Sequence, residues 1–208
     1  MDENMKKRNE RLAQTVIKGL QSRNMTGYYA EDKEAALKQA LELIEENSTI
    51  SMGGCMSAHE IGLVQALQEG NYQYLDRSKM ESREGLLAAY DSNVFLSSAN
   101  AMTSDGILVN IDGNSNRVSC IAQGPKKVIF IVGMNKVCDD LDSAMKCARN
   151  VAAPINAQRF EVKTPCKETG KCFDCKSPDT ICCQFLITRY SRHTGRIHVI
   201  LVNDNLGF

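Results

Sequence analysis

The sequence predicts a single α/β domain with a mostly parallel sheet that is covered by helices on both faces. Its 208 residues are enough for one sizeable hydrophobic core and few for two ordinary domains. Segments with helical spacing of apolar residues alternate with short apolar strands through the first half of the chain, and this alternation is typical of a parallel sheet. Residues 128–132 are continuously apolar, which indicates a strand at the centre of the sheet.

The first elements establish the alternation. Apolar residues at helical spacing predict an amphipathic helix over about 3–24, and we assign residues 1–30 to an N-terminal helical extension. The main domain then covers residues 31–208. It begins with a second amphipathic helix around 36–44, which a strand at 49–52 follows.

The next two units repeat this order. A helix that should end at Gly70, as its C-terminal cap, leads to a strand at 72–75. Ser78 and Glu81 have the spacing of a capping box, which predicts the start of a further helix. An apolar strand at 94–96 comes next.

Turn-forming residues change the pattern in the middle of the chain. Residues 107–111 and 118–122 have the composition of strands, and residues 112–116 between them are rich in Asp, Gly and Asn. These residue types tolerate left-handed backbone and favour tight turns. We therefore expect an antiparallel hairpin from 107 to 122.

The last third of the chain returns to helix and strand. A helix over about 139–151 should end before Pro154, because proline breaks a helix interior. Strands are expected at 185–187 and 197–202. Residues 164–179 show almost no apolar periodicity, so something other than a hydrophobic core should order them.

Charge and hydropathy exclude several classes of partner. Lys plus Arg and Asp plus Glu each number 25, so the formal net charge is zero. Without a global field, we expect no binding of nucleic acid or of an anionic membrane surface. No apolar run approaches the roughly 20 residues that span a bilayer, and the polar N-terminus lacks the apolar core of a signal peptide. We expect a soluble, cytoplasmic protein that holds any anionic ligand locally.

A glycine turn after the strand at 49–52 is the first candidate site. Gly53 and Gly54 allow backbone N–H groups to approach a ligand closely, and the helix start that follows adds partial positive charge. Ser57 and Glu60 lie in that helix start. We interpret the four residues as a site for a phosphate or a carboxylate. The alternative is a tight strand-to-helix connection with Ser57 as N-cap and Glu60 as its capping-box partner.

A second group of polar residues lies at predicted strand ends, where open α/β sheets bind their ligands. Asp105 and Asp112 are candidate catalytic residues, as general bases or metal ligands, and Arg117 could hold a carboxylate by two parallel hydrogen bonds. The alternative is ordinary turn chemistry. We expect this group to share one cleft with the glycine turn, and its members are Asn100, Thr103, Asp105, Asp112, Asn116 and Arg117.

Five of the nine cysteines fall within residues 164–183. Four of them have the spacing C-x5-C-x2-C-x6-C, and four soft thiolates suit either a tetrahedral zinc ion or an iron–sulfur cluster. The spacing alone does not decide between the two, and the exclusively thiolate lining favours the cluster slightly. We expect Cys183 to face away from such a centre, because adjacent residues of an extended chain point to opposite sides. Reduced free cysteines in a loop are the alternative. The predicted ligands are Cys166, Cys172, Cys175 and Cys182.

Residues 98–118, which read SANAMTSDGILVNIDGNSNRV, closely resemble the LUD domain family, named for lactate utilization. Residues 124–129, 132–136, 153–157 and 164–182 look like later motifs of the same family. The resemblance implies a fold of the sugar-phosphate isomerase and CoA-transferase group, with ligands bound beside the glycine turn at the carboxyl ends of strands.

The resemblance also refines the candidate site. Cys55 stands where the family commonly has serine, and Ser57 stands where it commonly has threonine. Ser57 and Glu60 can therefore keep the family's positions, whereas a hydroxyl contact at position 55 is absent from this chain.

A function in L-lactate oxidation to pyruvate, within an iron–sulfur redox complex, is what the resemblance implies. It would give this chain a small anionic substrate and iron–sulfur partner subunits. The cysteine loop would hold zinc or an iron–sulfur cluster, for which the 4Fe–4S type is one candidate. Two alternatives stay open: a non-redox enzyme on a sugar phosphate or acyl-CoA with structural zinc, and a non-catalytic scaffold subunit. Assembly into a homo-oligomer is also left open.

Overall fold

The structure, a computed structural model, describes residues 2–208 apart from the side chain of Ser78. Its strands fall into two sheets, one of six strands and one of four. In chain order they are β1 (Thr26–Ala30), β2 (Thr49–Met52), β3 (Gln73–Tyr74), β4 (Val94–Ser97), β5 (Ala101–Thr103), β6 (Leu108–Asp112), β7 (Lys127–Gly133), β8 (Val137–Cys138), β9 (Gln184–Thr188) and β10 (Ile197–Val202).

The larger sheet has the order β1-β10-β7-β4-β2-β3, and all neighbouring strands in it are parallel. β7 lies between β10 and β4 in the interior of the sheet, as its continuous apolar sequence predicts. The mostly parallel α/β fold is therefore confirmed.

Helices cover both faces of the larger sheet, and none within residues 2–208 is long and apolar enough to cross a membrane. The α-helices are α1 (Glu3–Ser22), α2 (Lys33–Glu42), α3 (Met56–Glu60), α4 (Leu63–Glu69), α5 (Ser82–Asp91), α6 (Asn116–Ala122), α7 (Leu141–Cys147), α8 (Ala153–Ala157) and α9 (Pro165–Thr169).

Successive side chains of β7 point to opposite faces, as the pleat of a strand requires. Phe130 packs in a core cluster with residues of α1, α5 and α6. Ile129 and Ile131 pack in a second cluster with residues of α2, α3 and α4. All three side chains are fully buried, so β7 holds together the two halves of the hydrophobic core.

The smaller sheet has the order β8-β5-β6-β9. β6 is antiparallel to both β5 and β9, and β8 is parallel to β5. Residues of α7 and of the turn that follows it cover this sheet. The chain enters this sheet at β5, directly after the end of β4. The sheet positions the loops of the candidate site that is described below.

The antiparallel hairpin exists, but it is formed by β5 and β6 and not by the expected strands at 107–111 and 118–122. β6 pairs with β5, which precedes it, so the antiparallel hairpin runs from 101 to 112. The predicted strand at 118–122 is wrong, because Asn116–Ala122 is the helix α6. The carboxylate of Asp112 accepts hydrogen bonds from the backbone N–H groups of Arg117 and Val118 at the start of this helix, and such capping stabilises a helix over a strand.

Three smaller predictions also need correction. The helix of 82–91 begins after Glu81, whose own carboxylate caps it by accepting from Arg83 N and Glu84 N. Pro154 does not end its helix, because a π-helical turn (Ala148–Ala152) precedes it and Pro154 lies in the first turn of α8. Backbone N–H groups in the first turn have no hydrogen-bond partner within the helix, so the missing N–H of proline is tolerated there. β1 was not predicted, and it forms the edge of the larger sheet beside β10.

Candidate functional site

A cleft of about 500 Å3 opens beyond the carboxyl ends of β2, β4, β7 and β10, four neighbouring strands of the larger sheet. This is the edge at which open parallel sheets bind ligands. The structure brings two of the predicted segments together there, the glycine turn after β2 and the loop around β6. The predicted residues that line the cleft are Gly54, Ser57, Asn100, Asp112, Asn116 and Arg117.

Gly53 contributes to the cleft by making room for Arg117. A Cβ atom at Gly53 would lie only 2.7 Å from Arg117 Cγ, closer than carbon atoms can approach. A larger residue at this position would therefore push the arginine side chain away. Gly54 has no atom within 4 Å of the position of a Cβ and faces the open cleft.

Ser57 and Glu60 have different roles from those of a capping box. The N-cap of α3 is Cys55, which makes no side-chain capping hydrogen bond, so the alternative interpretation of this segment is wrong. Ser57 is fully buried and donates to Ser98 Oγ at 3.4 Å. Glu60 is exposed outside the lining of the cleft, and its Oε2 accepts from the backbone N–H of Gly207 at 2.9 Å.

Arg117 is held in place by carbonyl oxygens. It donates to Ser98 O at 3.2 Å and to Asn100 Oδ1 at 3.1 Å, and it also donates to Ile111 O. Burial lowers the pKa of Arg117 from its usual value, although a guanidinium stays charged in proteins. The side chain is therefore a fixed positive charge in the wall of the cleft.

Asp112 has its carboxylate occupied by backbone donors. Asn114 N donates to Oδ1 at 3.1 Å, and Arg117 N and Val118 N donate to Oδ2 at 2.9 and 3.0 Å. These bonds shape the turn between β6 and α6. The predicted catalytic role of Asp112 stays a prediction, and the observed geometry gives it a positioning role for Arg117.

Asp105, Thr103 and Glu60 do not line the cleft, so the prediction that the polar residues converge there is wrong for these three. Thr103 donates to the Asp105 carboxylate, and Arg23 of the chain segment after α1 donates to the same carboxylate and to Asp105 O. The hydroxyl of Thr103 and the guanidinium of Arg23 lower the pKa of Asp105. The reason for the error is topological: Asp105 lies in the closed turn of the β5–β6 hairpin, whereas Asn100 and Asp112 lie at its open end.

Lys136 lines the cleft and was missed by the sequence interpretation. Its side chain is buried, with 5% of the residue exposed, and Nζ donates to Ser98 Oγ at 3.0 Å. Burial lowers the pKa of Lys136 to about 8. A signal existed, because Lys136 follows the central apolar strand β7 within three residues of its end, at the edge where ligands bind.

Comparison with known proteins agrees with this architecture. The family model of the LUD domain matches residues 13–202. The chain belongs to the LUD domain family. A crystal structure of a DUF162 family protein from Deinococcus radiodurans is similar to this LUD domain with a TM-score of 0.55 and 12% sequence identity, over 93% of this chain and 98% of that chain. At that identity the likeness concerns the fold alone. No curated protein matches the chain.

The cysteine loop of this LUD domain encloses a second, smaller cavity of about 40 Å3. Cys183 is exposed, lies outside the lining and donates to Thr180 O. Burial, together with the neighbouring thiols, raises the pKa of Cys182 to about 11. Within residues 2–208, no group of three or more His, Cys, Asp or Glu side chains has an arrangement that could hold a metal ion. The cysteines that line this cavity are Cys166, Cys172, Cys175 and Cys182.

The two cavities share a wall. Thr180 and Ile181 line both the large cleft and the cysteine cavity. Ile181 also packs against the turn after β6, because a Cβ atom at Gly113 would lie 3.2 Å from Ile181 Cα. A ligand in the cleft and a group in the cysteine cavity would therefore be separated by about one layer of residues.

Proposed function

We propose that this LUD domain binds a small carboxylate or phosphorylated ligand between Arg117 and Lys136. The observation that carries the proposal is that the buried Lys136 and the half-buried Arg117 both line the cleft, and that no ion pair within residues 2–208 includes either of them. A buried charge without a counter-ion is costly. Asp112 acts on Arg117 electrostatically, but its carboxylate accepts its hydrogen bonds from backbone donors, so an anionic ligand would be the direct ion-pair partner of the two cations.

The size and composition of the cleft support a ligand with more than one polar group. Its volume of about 500 Å3 falls within the range of about 300–1,000 Å3 that is typical of small-molecule sites. Asn100 and Asn116 add amide groups to the lining, and Ser57 and Ser98 add hydroxyls. The cleft thus offers two charges for the anionic end and several hydrogen-bonding groups for the rest of the molecule.

The cysteine cavity fits a soft metal centre by the chemistry of its donors. Four thiol side chains line one cavity, and such a set is preferred by zinc and by iron–sulfur clusters. Cys166, Cys172, Cys175 and Cys182 would hold the group, and because they do not form a metal-holding arrangement within residues 2–208, their thiols would have to move together on binding. When bound, an iron–sulfur cluster supplies one-electron transfer, and zinc supplies structural order.

Together these features support a redox role in lactate utilization for which the ligand is a small hydroxy or oxo acid. The shared wall at Thr180 and Ile181 would bring a cluster close to the ligand. Iron–sulfur partner subunits would then complete the electron transfer. With zinc in the cysteine cavity, the same cleft would serve a non-redox reaction on a sugar phosphate or an acyl-CoA.

Calorimetric titration of the purified chain with L-lactate, pyruvate and inorganic phosphate tests the anion site. Arg117→Met should weaken binding of the preferred anion by about 10- to 100-fold, because a hydrogen bond to a charged group contributes about 1.5–3 kcal/mol. Arg23→Met is the matched control, since Arg23 also donates to a carbonyl oxygen but lies outside the cleft. Equal affinities of the two variants would refute the site.

Metal analysis after anaerobic purification tests the cysteine cavity. Cys175→Ser should lower the bound metal and speed proteolysis within residues 164–183, whereas Cys183→Ser should leave both unchanged. Iron with visible absorbance would favour the redox role, and stoichiometric zinc without a redox change would favour the non-redox role. If Cys175→Ser alters neither metal content nor protease resistance, the cavity is not a metal site.

A further inference from the structure

The amine of Lys136 lies where it can react with a ligand as well as attract one. Nζ is in the wall of the cleft and donates to Ser98 Oγ. Three nearby charged or titratable groups act on its pKa: Cys55, Arg117 and Glu60. Burial and Arg117 lower the pKa and so favour the neutral amine, whereas Cys55 and Glu60 raise it. Because burial lowers the pKa of Lys136 to about 8, about a tenth of the amine is uncharged and nucleophilic at pH 7.

Arg117 and Lys136 both donate to Ser98, one to its carbonyl oxygen and the other to its hydroxyl. The distance from the Arg117 guanidinium to the carbonyl oxygen is 3.2 Å, and the distance from Lys136 Nζ to the hydroxyl oxygen is 3.0 Å. One cation can therefore pair with a carboxylate while the amine meets an atom close to that carboxylate. A 2-oxo acid has this arrangement, because its carbonyl carbon is bonded directly to the carboxylate carbon.

Gly207 leaves space above the amine. A Cβ atom at this position would lie 3.2 Å from both Lys136 Nζ and Ser57 Oγ. The backbone of Gly207 is held by its hydrogen bond to Glu60 and has a φ of 54°, a conformation that favours glycine. The absence of a side chain here gives room for an atom bonded to Nζ.

We propose that Lys136 is a nucleophile that forms an imine with a small 2-oxo acid whose carboxylate pairs with Arg117; this rests on the anion site proposed above. The amine lone pair forms a bond to the carbonyl carbon, and one proton passes from the nitrogen to the carbonyl oxygen to give a carbinolamine. The carbon–oxygen bond then breaks, the hydroxyl leaves as water with the second nitrogen proton, and a carbon–nitrogen double bond remains. No electron is gained or lost, and no co-reactant is required.

Borohydride trapping tests the proposal, since hydride converts an imine into a stable secondary amine. The full chain is incubated with pyruvate or 2-oxoglutarate and borohydride, digested, and mapped by mass spectrometry. We expect an adduct at Lys136 that exceeds the adduct at Lys127 by at least about tenfold, because a lowered pKa leaves more neutral amine. Lys127 is the internal control: it lies at the opposite end of the same strand, with Nζ donating to Leu43 O. Trapping should increase from pH 6 to pH 8.

Two ligand controls and one variant separate the outcomes. L-lactate has the carboxylate without the carbonyl, and acetone has the carbonyl without the carboxylate, so neither should give an adduct specific to Lys136. Lys136→Arg keeps the charge but has no nucleophilic amine, so it should lose the adduct. If wild type binds an oxo acid in calorimetry but gives no specific adduct, the imine is refuted and the anion site stands. If it neither binds nor traps, both proposals fall. Peptide mapping of the wild-type protein shows whether the adduct is on Lys136, even if the variant does not fold.

Discussion

The cleft and the cysteine cavity differ in what holds their walls. In the cleft, Asp112 accepts three backbone hydrogen bonds, and Arg117 donates to three oxygens from separate segments. In the cysteine loop, α9 has no buried residue, and exposed hydrogen bonds such as Lys163 N to Asp179 and Ser177 Oγ to Lys163 O hold the chain. The first region is organised before any ligand binds, and the second is held mostly by exposed hydrogen bonds, with no buried residue in α9.

This difference indicates what each region contributes. A buried, hydrogen-bonded charge needs no reorganisation when a ligand arrives, which favours binding and catalysis. A loop with little buried apolar surface is ordered at low cost by a metal, because the free energy of metal binding becomes free energy of folding. Thr180 and Ile181 line both cavities, so a rearrangement of the cysteine loop would reach the wall of the cleft.

The largest expected effect is on the free energy of unfolding, and it compares a phenylalanine of the hydrophobic core with one of the cysteine loop. Phe130→Ala removes a fully buried side chain from β7 and should lower the free energy of unfolding by about 3–5 kcal/mol. Phe173→Ala removes a side chain from the cysteine loop that is 57% exposed, and it should change the free energy by less than about 0.5 kcal/mol in the metal-free protein. Urea denaturation measures both. Similar losses would mean that the loop is as well packed as the core.

A smaller effect compares two carboxylates that accept backbone hydrogen bonds. Asp112→Asn places an amide donor where N–H groups already point, and we expect a loss of about 1–3 kcal/mol. Asp179→Asn alters one exposed bond, from Lys163 N at 2.9 Å, and should cost about 0.5 kcal/mol or less. Thermal or urea unfolding gives the two values. A larger loss at Asp179 would contradict the view that the cleft is the more rigid region.

The smallest effect concerns alkaline pH. The pKa of Cys182 is raised from 9.0 to about 11 by burial and the neighbouring thiols, so the unfolded chain loses this proton first. Between pH 9 and 11 the folded state binds more protons, and stability should fall as pH rises. Cys182→Ser should reduce that fall by less than about 1 kcal/mol, since the thiol is partly exposed to solvent.

Urea midpoints at several pH values measure this effect. At pH 6 and 7 the thiol is protonated in both states, so the difference between wild type and Cys182→Ser should be constant there. A difference that changes equally across pH 6–7 and pH 9–11 would show that the substitution acts through packing rather than through the proton.

Local sequence patterns were sufficient to predict the elements that leave a signature within one segment of the chain. The apolar spacing of α1, the strand at 49–52 and the buried run at 128–132 were predicted from sequence alone, because amphipathic periodicity and continuous burial leave a direct signature. The grouping of four cysteines within 164–183 was visible for the same reason, since their spacing lies within one segment.

Hydrogen bonds and strand pairings that leave no periodic pattern in the sequence decided the rest. Residues 118–122 have the composition of a strand, yet the carboxylate of Asp112 caps them as a helix. The hairpin of β5 and β6 places Asp105 at its closed turn and Asn100 at its open end. Lys136 became a site residue because β4 ends beside β7 and brings Ser98 to its amine. The sequence determined which residues could carry charge and chemistry, and only the tertiary structure decided which of them meet, because strand order depends on partners far along the chain.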